Sequence, residues 1–219
     1  MKLTDNVFCY PENGMMDCNT YVIKDDVGVI IDPGIVPCLP VLAQQMQQDG
    51  INPEDIGIIT CTHLHLDHYW ASEAFQEISG ARILLHPLHK QFYDIGVVQI
   101  SRIFGIEPVD IKEDGFLEEQ LNTGKLELEL IKAPGHSPES ICFYSRDQRV
   151  MICGDVVFAG NTGRVDFPGG NADQLKQSIE GFSELNIEYL LPGHMDIVVG
   201  AERVKENFEF VRTRVFPWL

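Results

Sequence analysis

Residues 60–68 read Thr60-Cys61-Thr62-His63-Leu64-His65-Leu66-Asp67-His68 and follow directly on the apolar, β-branched run Ile56-Gly57-Ile58-Ile59. A strand over 56–60 therefore ends in His-x-His-x-Asp-His, which brings three imidazoles and a carboxylate to one loop. Clustered imidazoles repel one another once protonated, so a folded chain gathers them where a cation takes their lone pairs. Imidazole nitrogen with carboxylate oxygen suits zinc and other borderline divalent ions.

Three later stretches repeat the design of a strand running into a turn that carries a donor. Ile131-Lys132-Ala133-Pro134-Gly135-His136-Ser137-Pro138 places His136 between Gly and Pro, Met151-Ile152-Cys153-Gly154-Asp155 ends on Asp155, and Tyr189-Leu190-Leu191-Pro192-Gly193-His194 ends on His194. Glycine and proline before a donor let the backbone bend sharply and approach an ion closely. Each turn alone is ordinary, because Pro-Gly-His is usually just a turn and an Asp after a strand usually caps a helix. Together with the first loop they give seven donors: His63, His65, Asp67, His68, His136, Asp155 and His194. One catalytic zinc needs about three protein ligands plus water, so seven is too many for one ion. Two ions sharing a carboxylate would use all seven, with a hydroxide between metals ~3.5–4 Å apart.

The order His-x-His-x-Asp-His, then His, Asp and His at strand ends, resembles the metallo-β-lactamase superfamily from Asp32-Pro33-Gly34 to His194. The resemblance implies an α/β, four-layer αββα sandwich with two metals at one edge of the sheets. By motif position, His63, His65 and His136 would hold the first metal, Asp67, His68 and His194 the second, and Asp155 would bridge them. Asp32 matches an acidic position beneath the site that supports the ligands. Aspartate stands at 155 where the zinc β-lactamases place a cysteine, which argues against antibiotic hydrolysis, and Cys153 lies two residues earlier. The stretch Gly163-Arg164-Val165-Asp166-Phe167-Pro168-Gly169-Gly170 is similar to the glyoxalase II (hydroxyacylglutathione hydrolase) branch, and persulfide dioxygenases share Gly-Arg-x-Asp-Phe here. Arg164 matches a substrate-contacting lysine of glyoxalase II, although an Arg after a turn is as often a salt-bridge partner. Glyoxalase II carries extra C-terminal helices that build much of its glutathione site, whereas this sequence ends 25 residues after His194. Glutathione is therefore a doubtful carrier, while ester or thioester cleavage is not.

The remaining sequence agrees with one domain over residues 1–219. Residues 19–24 and 28–32 read as a hairpin around Asp25-Asp26, closed by Pro33-Gly34, 40–48 as a helix stopped at Gly50, and 70–79 as a helix with Ala71, Ala74, Phe75 and Ile78 on one face. A short strand over 82–86 and a helix from Pro87 towards Ile95 follow, and 96–115 reads as a partly helical apolar segment, either a lid or substrate wall or ordinary core packing. The alternation Leu126, Leu128, Leu130 predicts a strand with one wet face. Strands over 140–144, 150–153 and 188–191, and helices over 172–185 and 202–215, complete two packed sheets with helices outside. His86 and His89 read as surface or capping residues, Tyr69 and Trp70 as pocket wall or buried rings, and Phe216-Pro217-Trp218-Leu219 as packing on the core or on a second subunit, so a homo-oligomer is compatible.

With 16 basic against 33 acidic residues the formal charge is −17, which repels phosphate backbones and anionic membranes, so a small molecule is the expected partner. The N-terminus lacks a signal-peptide core and no apolar run reaches ~18 residues, which predicts a cytoplasmic protein. Six cysteines without a Cys-x-x-Cys pair read as reduced thiols, with Cys61, Cys142 and Cys153 inside apolar runs. The expected function is binuclear hydrolysis of a thioester or related ester, with Asp67 orienting the nucleophile and two divalent ions, zinc by default with iron or manganese as alternatives. The alternative on the same fold is a persulfide dioxygenase holding one iron on His63, His136 and Asp155. A lactonase or nuclease stands further off, and the charge disfavours the nuclease.

Overall fold

The computed structural model describes residues 1–14, 16–110 and 112–219. Its first sheet runs β1 (Val7–Tyr10), β2 (Thr20–Ile23), β3 (Gly28–Ile31), β4 (Ile56–Thr60), β5 (Arg82–Leu85) and β6 (Gly115–Phe116), neighbours in that order. The second sheet draws on β7 (Gln120–Asn122), β8 (Glu127–Lys132), β9 (Ile141–Ser145), β10 (Val150–Gly154), β13 (Tyr189–Pro192) and β14 (Val198–Val199), in the order β14-β13-β10-β9-β8-β7. Between β10 and β13, β11 (Val157–Phe158) and β12 (Asn161–Thr162) form a separate two-stranded ribbon.

Side chains on successive strand residues point to opposite faces, and that alternation builds three apolar layers. Val7, Cys9, Tyr21, Ile23, Val29 and Ile31 of the first sheet meet Leu128, Leu130, Phe143, Val150 and Ile152 of the second. Their alternate neighbours Phe8, Val22, Ile30 and Ile59 face outward onto Leu42 and Met46 of α1 (Leu39–Gln48) and Phe75 of α3 (Ser72–Ser79). On the far side, Tyr144, Met151 and Leu190 face Leu175, Ile179 and Phe182 of α6 (Ala172–Ser183) and Val204 and Phe208 of α7 (Ala201–Phe210). Full burial of each Leu, Ile or Phe contributes about 1.5–3 kcal/mol, so each of the three interfaces is a substantial core. The order is helix, sheet, sheet, helix. Among the described residues no helix is long and apolar enough to cross a membrane.

The expected hairpin forms with Tyr21 opposite Ile31, and β8 alternates exposed Glu127 and Glu129 with buried Leu128 and Leu130. Several expectations need correction. The helix expected over 70–79 forms two residues later as α3, and a separate turn of helix, α2 (Leu66–Tyr69), precedes it with Asp67 and His68 in its first turn. Ile78, in the last turn of α3 before its Gly80 cap, is 44% exposed and does not join the buried face. The helix from Pro87 stops as α4 (Pro87–Gln91), and the chain resumes with a wider turn over Asp94–Gln99 and α5 (Ile100–Phe104). Helix 202–215 closes as α7 at Phe210, and a wider turn continues over Val211–Val215. At the end of the chain, Phe216 and Leu219 pack against the α6–α7 core, while Trp218 is 88% exposed. All six cysteines are free thiols, and Cys61, Cys142 and Cys153 are buried. His86 accepts from Leu88 N–H at 3.1 Å and caps α4, as expected, but His89 is fully buried, with Nε2 3.4 Å from Thr62 O. A five-residue helix has too short a period to reveal which residue turns inward.

Glu139 is a buried carboxyl without hydrogen bonds to either oxygen, packed close against Gly96. Burial pushes its pKa up to about 7. A carboxyl whose folded pKa exceeds its unfolded value gives full stability below the unfolded pKa, and that stability is lost as pH rises to the folded one. In metal-free protein, Glu139→Gln is expected to exceed the native chain in stability at pH 8 by on the order of 3 kcal/mol and to lose that advantage towards pH 4.5. Urea midpoints across that range measure the difference; parallel profiles would refute it.

Candidate metal centre

The seven donors meet where the C-terminal ends of β4, β8, β10 and β13 converge. His63 and His65 leave β4, His65 directly precedes α2, and Asp67 and His68 occupy its first turn. His136 follows β8, Asp155 follows β10 and His194 follows β13. Possible ligand atoms within 4.8 Å of one another fall into three groups: His63, His65 and His136; Asp67, His68 and His194; and His63, His68 and Asp155. The first two are the sets assigned by motif position, and the third places Asp155 between them.

Hydrogen bonds on the far side of each ring determine which nitrogen faces inward. His68 Nδ1–H donates to Asp32 Oδ2 at 3.0 Å, His136 Nδ1–H to Arg164 O at 2.8 Å, and His194 Nδ1–H to Glu12 Oε2 at 2.8 Å. His63 Nδ1 lies 3.1 Å from Thr62 Oγ1, which in turn donates to Asp32 Oδ2 at 2.8 Å. Asp32 Oδ1 accepts Thr62 N–H at 2.7 Å, so one fully buried carboxylate orients two imidazoles and the strand end between them. Those four rings present Nε2 to the cluster. His65 is turned the other way, its Nδ1 2.9 Å from His136 Nε2.

Whether the pocket suits a cation is tested by atoms that satisfy nothing else. The Nε2 atoms of His63 and His68 and Oδ1 of Asp155 are buried and lack hydrogen-bond partners among the described residues. Buried polar atoms without partners cost about 1–3 kcal/mol each, so several aimed at one point fit a site for ions. The protonation states agree for His63, His65 and Asp155. Burial, together with His68 and His65, holds His63 well below the usual imidazole range. Burial and His136 bring His65 down to about 3. Burial alone would raise Asp155, but His68 and His194 hold it far below the usual carboxylate range. Burial alone would lower His68 and His194, but neighbouring acidic groups, Asp155 among them, hold His68 well above the usual imidazole range and bring His194 up to about 10. A metal would displace protons from those two rings, while His63, His65 and Asp155 are already in the forms that bind metal. Gly193 leaves space for this contact, since a Cβ there would overlap Asp155 Oδ1 and stand 2.6 Å from His68 Cε1.

The cluster forms the floor of a cleft of about 900 Å³. Arg164 lines it, but its guanidinium grips Asp166 through two 2.6 Å hydrogen bonds and lies 3.8 Å over the Phe167 ring. Cys153 points away from the site, its Sγ 3.3 Å from Val157 O within the α6–α7 core. Tyr69 is buried in the core beside α3, and neither it nor Trp70 lines the cleft. Ile100 and Phe104 of α5 do line it, so the uncertain 96–115 segment supplies part of a wall.

Three residues that sequence reasoning missed also serve the site. Glu12 orients His194. Asp17 accepts Asn13 N–H at 2.8 Å and lines the cleft. Asn19 fastens the His194 turn, donating to Pro192 O at 3.0 Å and Met195 O at 2.9 Å. Glu12 and His194 are 182 positions apart, and no local spacing signals such a pair.

Comparison with known proteins reaches the same assembly. A family model described as the metallo-beta-lactamase superfamily matches residues 13–194. A "probable metallo-hydrolase" of Methanocaldococcus jannaschii is 32% identical over 187 residues, covering 82% of this chain and 88% of the relative. A hydroxyacylglutathione hydrolase of Haemophilus influenzae is 29% identical, covering 83% and 82%. The crystal structure of a B3 metallo-beta-lactamase superposes with a TM-score of 0.77 at 26% identity, covering 91% of this chain and 95% of that one. The match across every donor-bearing turn and the shared fold together place this chain in the metallo-β-lactamase superfamily.

Proposed function

We propose that the chain is a binuclear metal-dependent hydrolase that cleaves a thioester or a related ester. The observation carrying this reading is the division of seven donors into two complete triads with Asp155 between them. Two divalent cations bound there supply a water acidified towards neutral pH and an electrophile for the carbonyl oxygen. Asp67 borders the open cleft with Oδ2 3.3 Å from His194 Nε2, where it orients the water and accepts its proton. Asp32, Thr62, Arg164 O and Glu12 keep the imidazoles aimed inward, so little reorganisation accompanies reaction. A thiolate leaves readily, so the absence of a strong general acid from this scheme does not limit it. The similarity to a hydroxyacylglutathione hydrolase supports thioester chemistry.

Elemental analysis combined with a panel of thioesters, esters and lactones tests the proposal. About two ions per chain and metal-dependent thiol release are expected. One iron per chain with oxygen consumption on a persulfide would overturn it in favour of the dioxygenase.

A further inference from the structure

Beyond the donor cluster, the cleft is chemically one-sided. Phe104, Phe167 and His65 form a row of rings, each edge-on to the next: Phe104 to Phe167 at 5.8 Å and 82°, Phe167 to His65 at 5.9 Å and 87°. The row runs from the rim, where Phe104 is 46% exposed, down to the donors. Met195 of the same cleft is 48% exposed. Large apolar side chains gathered in the open around a cavity mark a surface that binds something apolar. Met195 also holds a left-handed backbone, φ 66°, fastened through its carbonyl by Asn19. Such a conformation costs on the order of 1–3 kcal/mol in a non-glycine residue and concentrates at functional sites.

Charge points the same way. Arg164 is the one arginine or lysine lining the cleft among the described residues, and its Nε and one Nη already donate to Asp166. Glu12 and Asp17 add carboxylates to the lining. Beyond the donor floor, a phosphate or a pair of carboxylates on a substrate would meet no unpaired arginine or lysine among the described residues and two anions.

We infer that the Phe104–Phe167 row is the binding track for an uncharged, apolar acyl chain. The substrate class is then an aliphatic or aryl acyl thioester or ester on a carrier without phosphates or several carboxylates. The inference rests on the hydrolase reading and adds the identity of the acyl group to it.

Chain-length series of N-acetylcysteamine thioesters, from acetyl to octanoyl, provide the test on protein loaded with a defined metal. Burial of each methylene along the track raises kcat/KM by roughly fourfold until the row is covered. The octanoyl ester of N-acetylcysteamine should exceed S-octanoylglutathione by at least tenfold. Phe104→Ser, at an exposed position, is expected to narrow the octanoyl-to-acetyl ratio by about tenfold, whereas Trp218→Ser leaves it unaltered. Calorimetric binding of the non-hydrolysable S-octyl and S-ethyl thioethers of N-acetylcysteamine gives a second readout, with S-octyl the tighter and Phe104→Ser erasing the difference. Hydrolysis without chain-length preference, or faster cleavage of the glutathione ester, overturns the inference and leaves the hydrolase reading standing. Selective octyl binding without turnover of any ester supports the track and removes the hydrolase reading.

Discussion

Replacing Asp155 with alanine is expected to lower thioester turnover by about 10³-fold or more, the scale seen when one electrostatic stabiliser leaves a preorganised site. Its carboxylate stands between the two triads, with Oδ1 3.4 Å from His68 Nε2 and Oδ2 3.5 Å from both His136 Nε2 and His194 Nε2. Alanine removes a buried negative charge that three imidazoles face, so metal content should fall along with rate. The fold should persist, because Asp155 lies beyond the last residue of β10 and contributes to no apolar layer. Elemental analysis, kcat/KM and a thermal melt on the same preparation read all three quantities. A folded Asp155→Ala protein with full activity would remove the two-ion mechanism.

Asp32→Ala carries the second large effect, and it acts on stability as well as on the ions. Its carboxylate is fully buried, with Thr62 N–H, Thr62 Oγ1–H and His68 Nδ1–H all donating to it. Removing one partner of a buried polar network typically costs 3–5 kcal/mol, because the remaining donors lose water and partner together. The φ of 57° at Asp32 compounds the loss, since aspartate tolerates the left-handed region better than alanine does. Ion affinity should fall by about 10–100-fold, as His63 and His68 lose their orientation. Urea denaturation of metal-free protein and a chelator-competition titration separate the two. A loss of less than about 1 kcal/mol would mean that Asp32 is not the support its geometry describes.

The donors were legible because each sits in a local signature: an apolar strand followed by a Gly- or Pro-bearing turn, or the dense His-x-His-x-Asp-His run. The sheets were legible for a related reason, since the inner and outer faces of β8 and the hairpin of β2 and β3 follow directly from alternation. What the sequence hid is what depends on distant partners. Glu12 and Asn19 sit in a stretch without periodicity, and their roles appear only when β13 brings the His194 turn beside them. His89 reads as a surface or capping residue, yet packing encloses it, as it encloses Glu139. Strand β1 was overlooked because a four-residue run beside the chain start offers little pattern. The start of α2 was misplaced because Leu66, Asp67 and His68 were read as loop residues, although His65, extended at φ −64° and ψ 147°, precedes a helical turn.

His63 and His65 extend from the first sheet, whereas His136, Asp155 and His194 extend from the second. An ion on His63, His65 and His136 would cross-link the two halves of the sandwich, and one on Asp67, His68 and His194 would close the longer loop of chain from residue 67 to 194. Binding to the folded state alone stabilises it by RT ln(1 + [L]/Kd), about 4 kcal/mol at a thousandfold excess over Kd. Loading and folding would then be a single equilibrium, and resistance to proteases is expected to rise with the ion supply of the surroundings.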